Sequence, residues 1–154
     1  MTYDEMEQYA YREGIDIDYV DFNSQRIKGL YCDGSIAINQ NIETTTERAC
    51  VLAEELGHFH TSTGNILDLC DVANRKQERR ARLWAYNKQI GLIGIIRAFE
   101  AGCRNRYEMA EFLEVTERFL QDALDTYRQK YGDAIAIDNY MILLEDGLSV
   151  VKVF

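Results

Sequence analysis

The sequence predicts an α+β fold with a small antiparallel sheet near the N-terminus, a helical C-terminal half and a terminal β-hairpin. Short segments that alternate apolar and polar residues, separated by turn residues, lie near both ends of the chain. Between them, apolar residues recur every three or four positions, as is typical of amphipathic helices. With 154 residues, 47% of them hydrophobic, the chain is long enough for a core of its own, and we predict a single domain over residues 1–154.

The N-terminal part is predicted to form one helix and then a small sheet. Thr2 is a suitable N-cap and Gly14 a suitable C-terminal stop, so the helix is expected over residues 2–13. The last two strands are separated by Asp33-Gly34, a pair typical of a two-residue hairpin turn. The strands are expected at residues 15–20, 27–32 and 35–39.

A second helix, central to the fold, is predicted from Thr44 onward. Residues 61–73 are predicted to form a loop, of a length at which loops are usually functional or mobile. A third helix is expected over residues 74–99, with Gly91 and Gly94 as points at which it can break. The apolar residues that place one face of the second helix in the core are Ala49, Leu52, Ala53, Leu56 and Phe59.

The C-terminal part is predicted to contain two more helices and a hairpin. The helices are expected at residues 107–113 and 116–131, and Gly132 provides the stop for the second. Two strands are expected at residues 135–144 and 148–154, because Glu145-Asp146-Gly147 between them is a turn sequence.

The charge of the chain argues against nucleic acid as a partner. A formal net charge of -9 and a pI near 4.7 mean that the molecule as a whole repels phosphates. Residues 107–124 have the pattern of a helix-turn-helix, but their second helix lacks the basic face that DNA contacts require. We therefore expect no direct nucleic-acid binding, and a protein or small molecule is the favoured partner.

Cysteine usage and the absence of an apolar leader indicate the cytoplasm. The sequence contains no long apolar run and no basic-then-apolar N-terminus, so neither a membrane span nor a secretory signal is expected. The cysteines form no C-x-x-C pair, which favours reduced thiols over disulfides or a cysteine zinc site. These scattered cysteines are Cys32, Cys50, Cys70 and Cys103.

The segment Glu54-Glu55-Leu56-Gly57-His58 of the predicted second helix can bring two metal ligands to one ion. Residues four apart on a helix lie on the same face, so Glu54 and His58 can reach a single cation. Zinc hydrolases use this spacing in the H-E-x-x-H arrangement, where two histidines bind the metal and the glutamate is the general base. In this chain Glu54 stands in the place of the first histidine.

Three parts of the chain together resemble the ImmA/IrrE family of metallo-endopeptidases. Residues 53–58, Ala-Glu-Glu-Leu-Gly-His, resemble the H-E-L-G-H helix of that family. Residues 29–31 and 35–39 resemble its hairpin and the strand before the active-site helix. Residues 78–85 resemble the helix that supplies a third, carboxylate ligand. The resemblance covers roughly residues 1–131 and implies a zincin-like metallopeptidase domain.

The resemblance also implies a role for each residue of the site. Glu54, His58 and Glu78 would bind the metal, and Glu55 would act as general base on the water that the metal activates. The implied metal is zinc. Because the carboxylate of Glu54 replaces an imidazole, Mn²⁺ or Fe²⁺ would compete better than at a His-His-Glu site. The strand at residues 35–39 would bind an extended substrate by strand addition.

Other interpretations of these residues stay open. Without the resemblance, the two glutamates and the histidine are typical of the solvated face of an acidic helix. His60, together with Asp68 and Asp71 in the predicted loop, could supply ligands instead. Trp84 is expected to fill the core rather than to contact a substrate.

The activity implied by the resemblance is cleavage of a protein partner. We expect a metal-dependent endopeptidase that cleaves a helix-turn-helix repressor and so derepresses a phage, a mobile element or a stress response. The alternative is an antirepressor of the same fold that binds the repressor without cleaving it. Glu54 motivates this alternative, because two carboxylates and one imidazole would neutralise a divalent ion and reduce its Lewis acidity.

Overall fold

The computed structural model describes residues 1–61 and 71–153, and of residues 71–74 the backbone alone. This part of the chain divides into two compact units, Met1–Lys88 and Gln89–Phe154. The α+β fold class is confirmed, and the single domain over the whole chain stays a prediction. In chain order the elements are α1 (Tyr3–Arg12), β1 (Asp16–Val20), β2 (Gly29–Cys32), β3 (Ser35–Asn39), α2 (Thr45–Thr61), α3 (Asp71–Gln89), α4 (Gly91–Glu100), α5 (Arg106–Leu113), α6 (Glu117–Tyr131), β4 (Ala134–Ile137), β5 (Tyr140–Leu143) and β6 (Ser149–Lys152).

The sheet of the first unit is mixed, with the strand order β1-β3-β2. The hairpin β2–β3 is antiparallel as predicted, but β1 pairs with β3 in parallel, from Asp16 opposite Ser35 to Val20 opposite Asn39. The chain reverses once between β1 and β2 and again at the hairpin turn, so β3 runs in the direction of β1. The expectation of an entirely antiparallel sheet was therefore wrong for β1.

Strand β3 is the central strand of this sheet. Its residues Ile36 and Ile38 are fully buried, and β1 and β2 occupy both of its edges. The prediction that residues 35–39 form a free edge for substrate is therefore wrong. Among the described residues, the edge strands of this sheet are β1 and β2, and β2 is the one that packs next to α2.

Helix α2 packs its apolar face against the sheet and α1. The predicted core positions Ala49, Leu52, Ala53 and Leu56 are buried, whereas Phe59 is half-buried. Residues 62–70 of the predicted loop lie outside the described residues. The two ends of that prediction are helical, because α2 continues through Thr61 and α3 begins at Asp71.

The second unit consists of helices α4 to α6 and an antiparallel sheet of three strands, in the order β4-β5-β6. The predicted third helix breaks at Gly91, whose φ of +64° ends α3, while Gly94 lies inside α4. The predicted strand at residues 135–144 is two strands, because Asp138 turns the chain with a φ of +49°. The expected hairpin is thus the β5–β6 pair of a larger sheet. In the two described ranges, no helix has the length and apolar character that crossing a membrane requires.

Candidate metal centre

Three of the predicted site residues lie on α2 within the first unit. Glu54, Glu55 and His58 are all half-buried, in the last part of the helix before Thr61. Helix α3 comes close to α2 at Gly57, where an added Cβ would lie 2.8 Å from the carbonyl carbon of Ala81. The missing side chain at position 57 thus allows the backbone of α3 to approach the part of α2 that carries these residues.

The close approach of the two helices brings His58 and Glu78 together. The Nε2 atom of His58 lies 3.1 Å from Oε2 of Glu78, and the other carboxylate oxygen lies 3.3 Å from Nε of Arg82. The hydrogen bond to Glu78 raises the pKa of His58, although burial opposes this. The same hydrogen bond lowers the pKa of Glu78, and the charge of Arg82 adds to that effect. The two groups therefore form an ion pair, since the raised pKa of His58 and the lowered pKa of Glu78 both favour the charged forms.

Glu55 lies between α2 and β2. The backbone N–H of Tyr31 donates a hydrogen bond to its carboxylate, and an added Cβ at Gly29 would lie 3.0 Å from its Cγ. Burial raises the pKa of Glu55 to about 7, and the charges of Glu54 and Glu78 act in the same direction, against His58 and the Tyr31 hydrogen bond. A carboxyl group that titrates near neutral pH can both accept and donate a proton there.

His58 and Glu78 are near enough to bind the same metal ion, and their separation is also that of the hydrogen bond between them. Two donor atoms bound to one tetrahedral zinc ion at about 2.0–2.1 Å lie roughly 3.3 Å apart, close to the 3.1 Å between His58 and Glu78. The charge of Glu54 raises the pKa of both Glu55 and His58, so its carboxylate is near them. Within residues 1–61 and 71–153, however, no three His, Cys, Asp or Glu side chains are grouped to hold an ion.

Among the alternative ligands named from the sequence, His60 is the one whose side chain the structure describes, and it contacts other groups than this pair. Nε2 of His60 lies 2.9 Å from the hydroxyl of Tyr9, and its ring stacks on Trp84 with centroids 4.6 Å apart. Asp68 lies outside the described residues, as does the side chain of Asp71. His60 therefore has a packing role in this structure.

Sequence reasoning missed two groups that act on the site. The N–H of Tyr31 is a backbone group of a different element, and no residue pattern marks such a contact. Arg82 had a detectable signal, because it follows Glu78 by four positions on a predicted helix, and residues at that spacing pair across one turn.

Comparison with known proteins identifies one family. The family model described as the IrrE N-terminal-like domain, of peptidase family M78, matches residues 10–125. The match covers about three quarters of the chain and includes all four predicted site residues. No curated protein and no solved structure shows a significant match.

Proposed function

The chain belongs to peptidase family M78, the family of the IrrE N-terminal-like domain, and from this premise we propose that it is a metal-dependent endopeptidase. The family indicates a metallopeptidase-like domain, and the proposed reaction is hydrolysis of a peptide bond. The observation that carries the proposal is the 3.1 Å distance between His58 and Glu78, which come from two helices and are spaced as two ligands of one ion.

We assign metal binding to Glu54, His58 and Glu78. His58 and Glu78 are already adjacent, and Glu54 lies one helical turn before His58 on the same face of α2. Zinc is the proposed metal, and Mn²⁺ or Fe²⁺ are further candidates because two of the three donors are carboxylates. When bound, the ion would supply Lewis acidity, polarising the substrate carbonyl and lowering the pKa of water.

Glu55 is the proposed general base. Its carboxylate is held by the N–H of Tyr31 and lies near the ligand pair, so it can accept a proton from water at the site. In the described part of the chain no strand pairs with the outer edge of β2, and the part of that edge beyond the Tyr31 N–H that Glu55 accepts from is the proposed docking site for an extended substrate. Strand addition at this edge would place the substrate backbone beside Glu55.

The proposed substrate is a helix-turn-helix repressor, and the proposed location is the cytoplasm, where such a repressor acts. The test is incubation of the purified chain, loaded with zinc, with helix-turn-helix repressors from the same genome, starting with any that an adjacent gene encodes, followed by mass spectrometry of the products. We expect a specific cut that is abolished by a chelator and reduced at least about 100-fold by Glu55→Gln, as for loss of a general base.

The matched control is Glu43→Gln, which removes an exposed carboxylate just before α2. This variant should cut at the rate of the original chain. An intact repressor in every tube, with the zinc-loaded chain folded, would reject proteolysis of that partner.

A second candidate function is an antirepressor that binds the repressor without cutting it. It is favoured by one observation, that Glu54 does not complete a group of three donors with His58 and Glu78 among the described residues. Binding that persists in the presence of chelator and in Glu55→Gln, with no cleavage by the original chain, would favour this function over the first.

A further inference from the structure

A cavity of about 510 Å³ lies within the second unit, apart from the residues of the candidate metal centre. It is formed where the end of α4, the N-terminus of α5 and the beginning of β6 meet. Its volume is in the range of small-molecule sites, roughly 300–1,000 Å³. Its apolar wall consists of Phe99, Met109, Leu148 and Val150.

The polar wall of this cavity carries positive charge. Arg104 and Arg106 both line it, and the guanidinium of Arg104 has no hydrogen bond or ion pair with any described residue. The guanidinium of Arg106 donates to the neutral side-chain oxygen of Gln121, so its charge is not neutralised by that contact. The guanidinium groups of Arg104 and Arg106 thus lie beside an apolar surface, and neither is paired with a carboxylate of a described residue.

The neighbouring backbone adds to this positive potential. Asn105 caps α5 by accepting from the N–H of Glu108, and the N-terminus of that helix lies at the cavity. The one acidic side chain at this turn, Glu108, accepts a 2.7 Å hydrogen bond from the backbone N–H of Arg104. That carboxylate therefore satisfies a backbone group and leaves the two guanidinium groups available.

We propose that this cavity binds a small amphipathic anion, namely a carboxylate joined to an apolar group. The two arginines would hold the carboxylate, since guanidinium groups recognise carboxylates through paired hydrogen bonds. The wall around Phe99 and Met109 would cover the apolar part. Such a carboxylate could come from a free acyl chain or from the C-terminal apolar residue of a peptide. This inference does not depend on the proposed peptidase activity.

The thiol of Cys103 gives a direct readout, because it lines the cavity and donates to the backbone oxygen of Glu108 at 3.6 Å. The experiment is alkylation of the full chain with iodoacetamide, with the rate at each cysteine followed by mass spectrometry. Octanoate is expected to slow labelling of Cys103 with saturation, while labelling of the exposed Cys32 in the first unit stays unchanged. Octanol and octylammonium, which lack the anion, should protect at least tenfold less well.

The arginines are tested by Arg104→Gln with Arg106→Gln, which should weaken protection by octanoate at least tenfold. Arg118→Gln, which removes an exposed charge from α6, is the matched control and should leave protection unchanged. Protection by octanoate assigns a free acyl source, and protection by N-acetylleucine alone assigns a peptide terminus. No protection by either carboxylate, or equal protection by octanol, would overturn the proposal.

Discussion

Gly57 and Ala81 are in backbone contact where the two helices of the candidate metal centre cross. A Cβ at position 57 would meet the carbonyl group of Ala81. It would lie 2.8 Å from the carbonyl carbon of Ala81 and 3.0 Å from the Cα of the same residue. Atoms of a helix backbone cannot move aside as the end of a flexible side chain can. The distance between His58 and Glu78 therefore depends on the absence of a side chain at position 57.

Gly57→Ala is expected to destabilise the first unit by at least about 2 kcal/mol, because overpacking against rigid backbone outweighs the gain in helix propensity. Urea unfolding monitored by circular dichroism measures this. The control is Gly94→Ala, where the nearest atom is the flexible Cδ2 of Leu113 at 3.3 Å, and its effect should stay below about 1 kcal/mol. Equal stability of Gly57→Ala and the original chain would contradict the contact.

Zinc is expected to stabilise the chain, because a ligand that binds only the folded state adds about 2.7 kcal/mol at a free concentration 100 times its Kd. Thermal unfolding with and without zinc measures the effect. His58→Ala and Glu78→Ala should each abolish most of the rise in Tm, whereas Glu43→Ala should retain it. Glu54→Ala is the decisive variant, because it tests the donor that does not yet join the pair. An unchanged zinc response in Glu54→Ala would remove Glu54 from the ligand set.

Local features of the fold could be predicted from the sequence, and long-range pairings could not. The Asp33-Gly34 pair fixed the β2–β3 hairpin, since both residues adopt the positive φ that this turn requires. The parallel pairing of β1 with β3 depends on which strand β1 reaches after the chain folds back. Hydrophobic alternation is the same for both choices of partner, so it carries no information on this pairing.

The same division applies to the candidate site. The spacing of Glu54 and His58 places them on one helical face, and the family resemblance added Glu78 from a second helix. The conformation of the Glu54 side chain and the hydrogen bond from Tyr31 to Glu55 depend on three-dimensional packing. No periodic pattern encodes them. The first decides whether Glu54 can join His58 and Glu78 as a donor, and the second holds the carboxylate of Glu55.

The stability of the first unit is expected to fall at alkaline pH because of Tyr3. This residue is buried, and its hydroxyl is hydrogen-bonded to that of Tyr19, which donates to Glu7. Burial, followed by these contacts, raises the pKa of Tyr3 well above its ordinary value of 10.0. A raised pKa means that the folded state favours the protonated form. The contribution of Tyr3 to the free energy of unfolding is therefore complete below pH 10. It is lost progressively as the pH rises above that value.

Urea unfolding at pH 8 to 11 tests this expectation. Tyr3→Phe should lower stability by about 1 kcal/mol at pH 8, for the lost hydrogen bond, and should flatten the decline above pH 10. Tyr11→Phe changes a largely exposed ring and should leave the pH dependence as it is. A decline of the same steepness in Tyr3→Phe would show that other groups cause it.

The single tryptophan of the chain provides a test of the packing between α2 and α3. The ring of Trp84 stacks on His60 at an interplanar angle of 17°, and the ammonium group of Lys88 lies 4.2 Å from the centroid of Tyr9 beside them. His60→Ala should expose the indole, shift its emission to longer wavelength and cost about 1 kcal/mol, the usual value of an aromatic pair. Tyr107→Ala, on an exposed ring of α5, is the control and should not shift the emission. Unchanged emission in His60→Ala would mean that His60 does not cover Trp84 and that the packing role assigned to His60 is wrong.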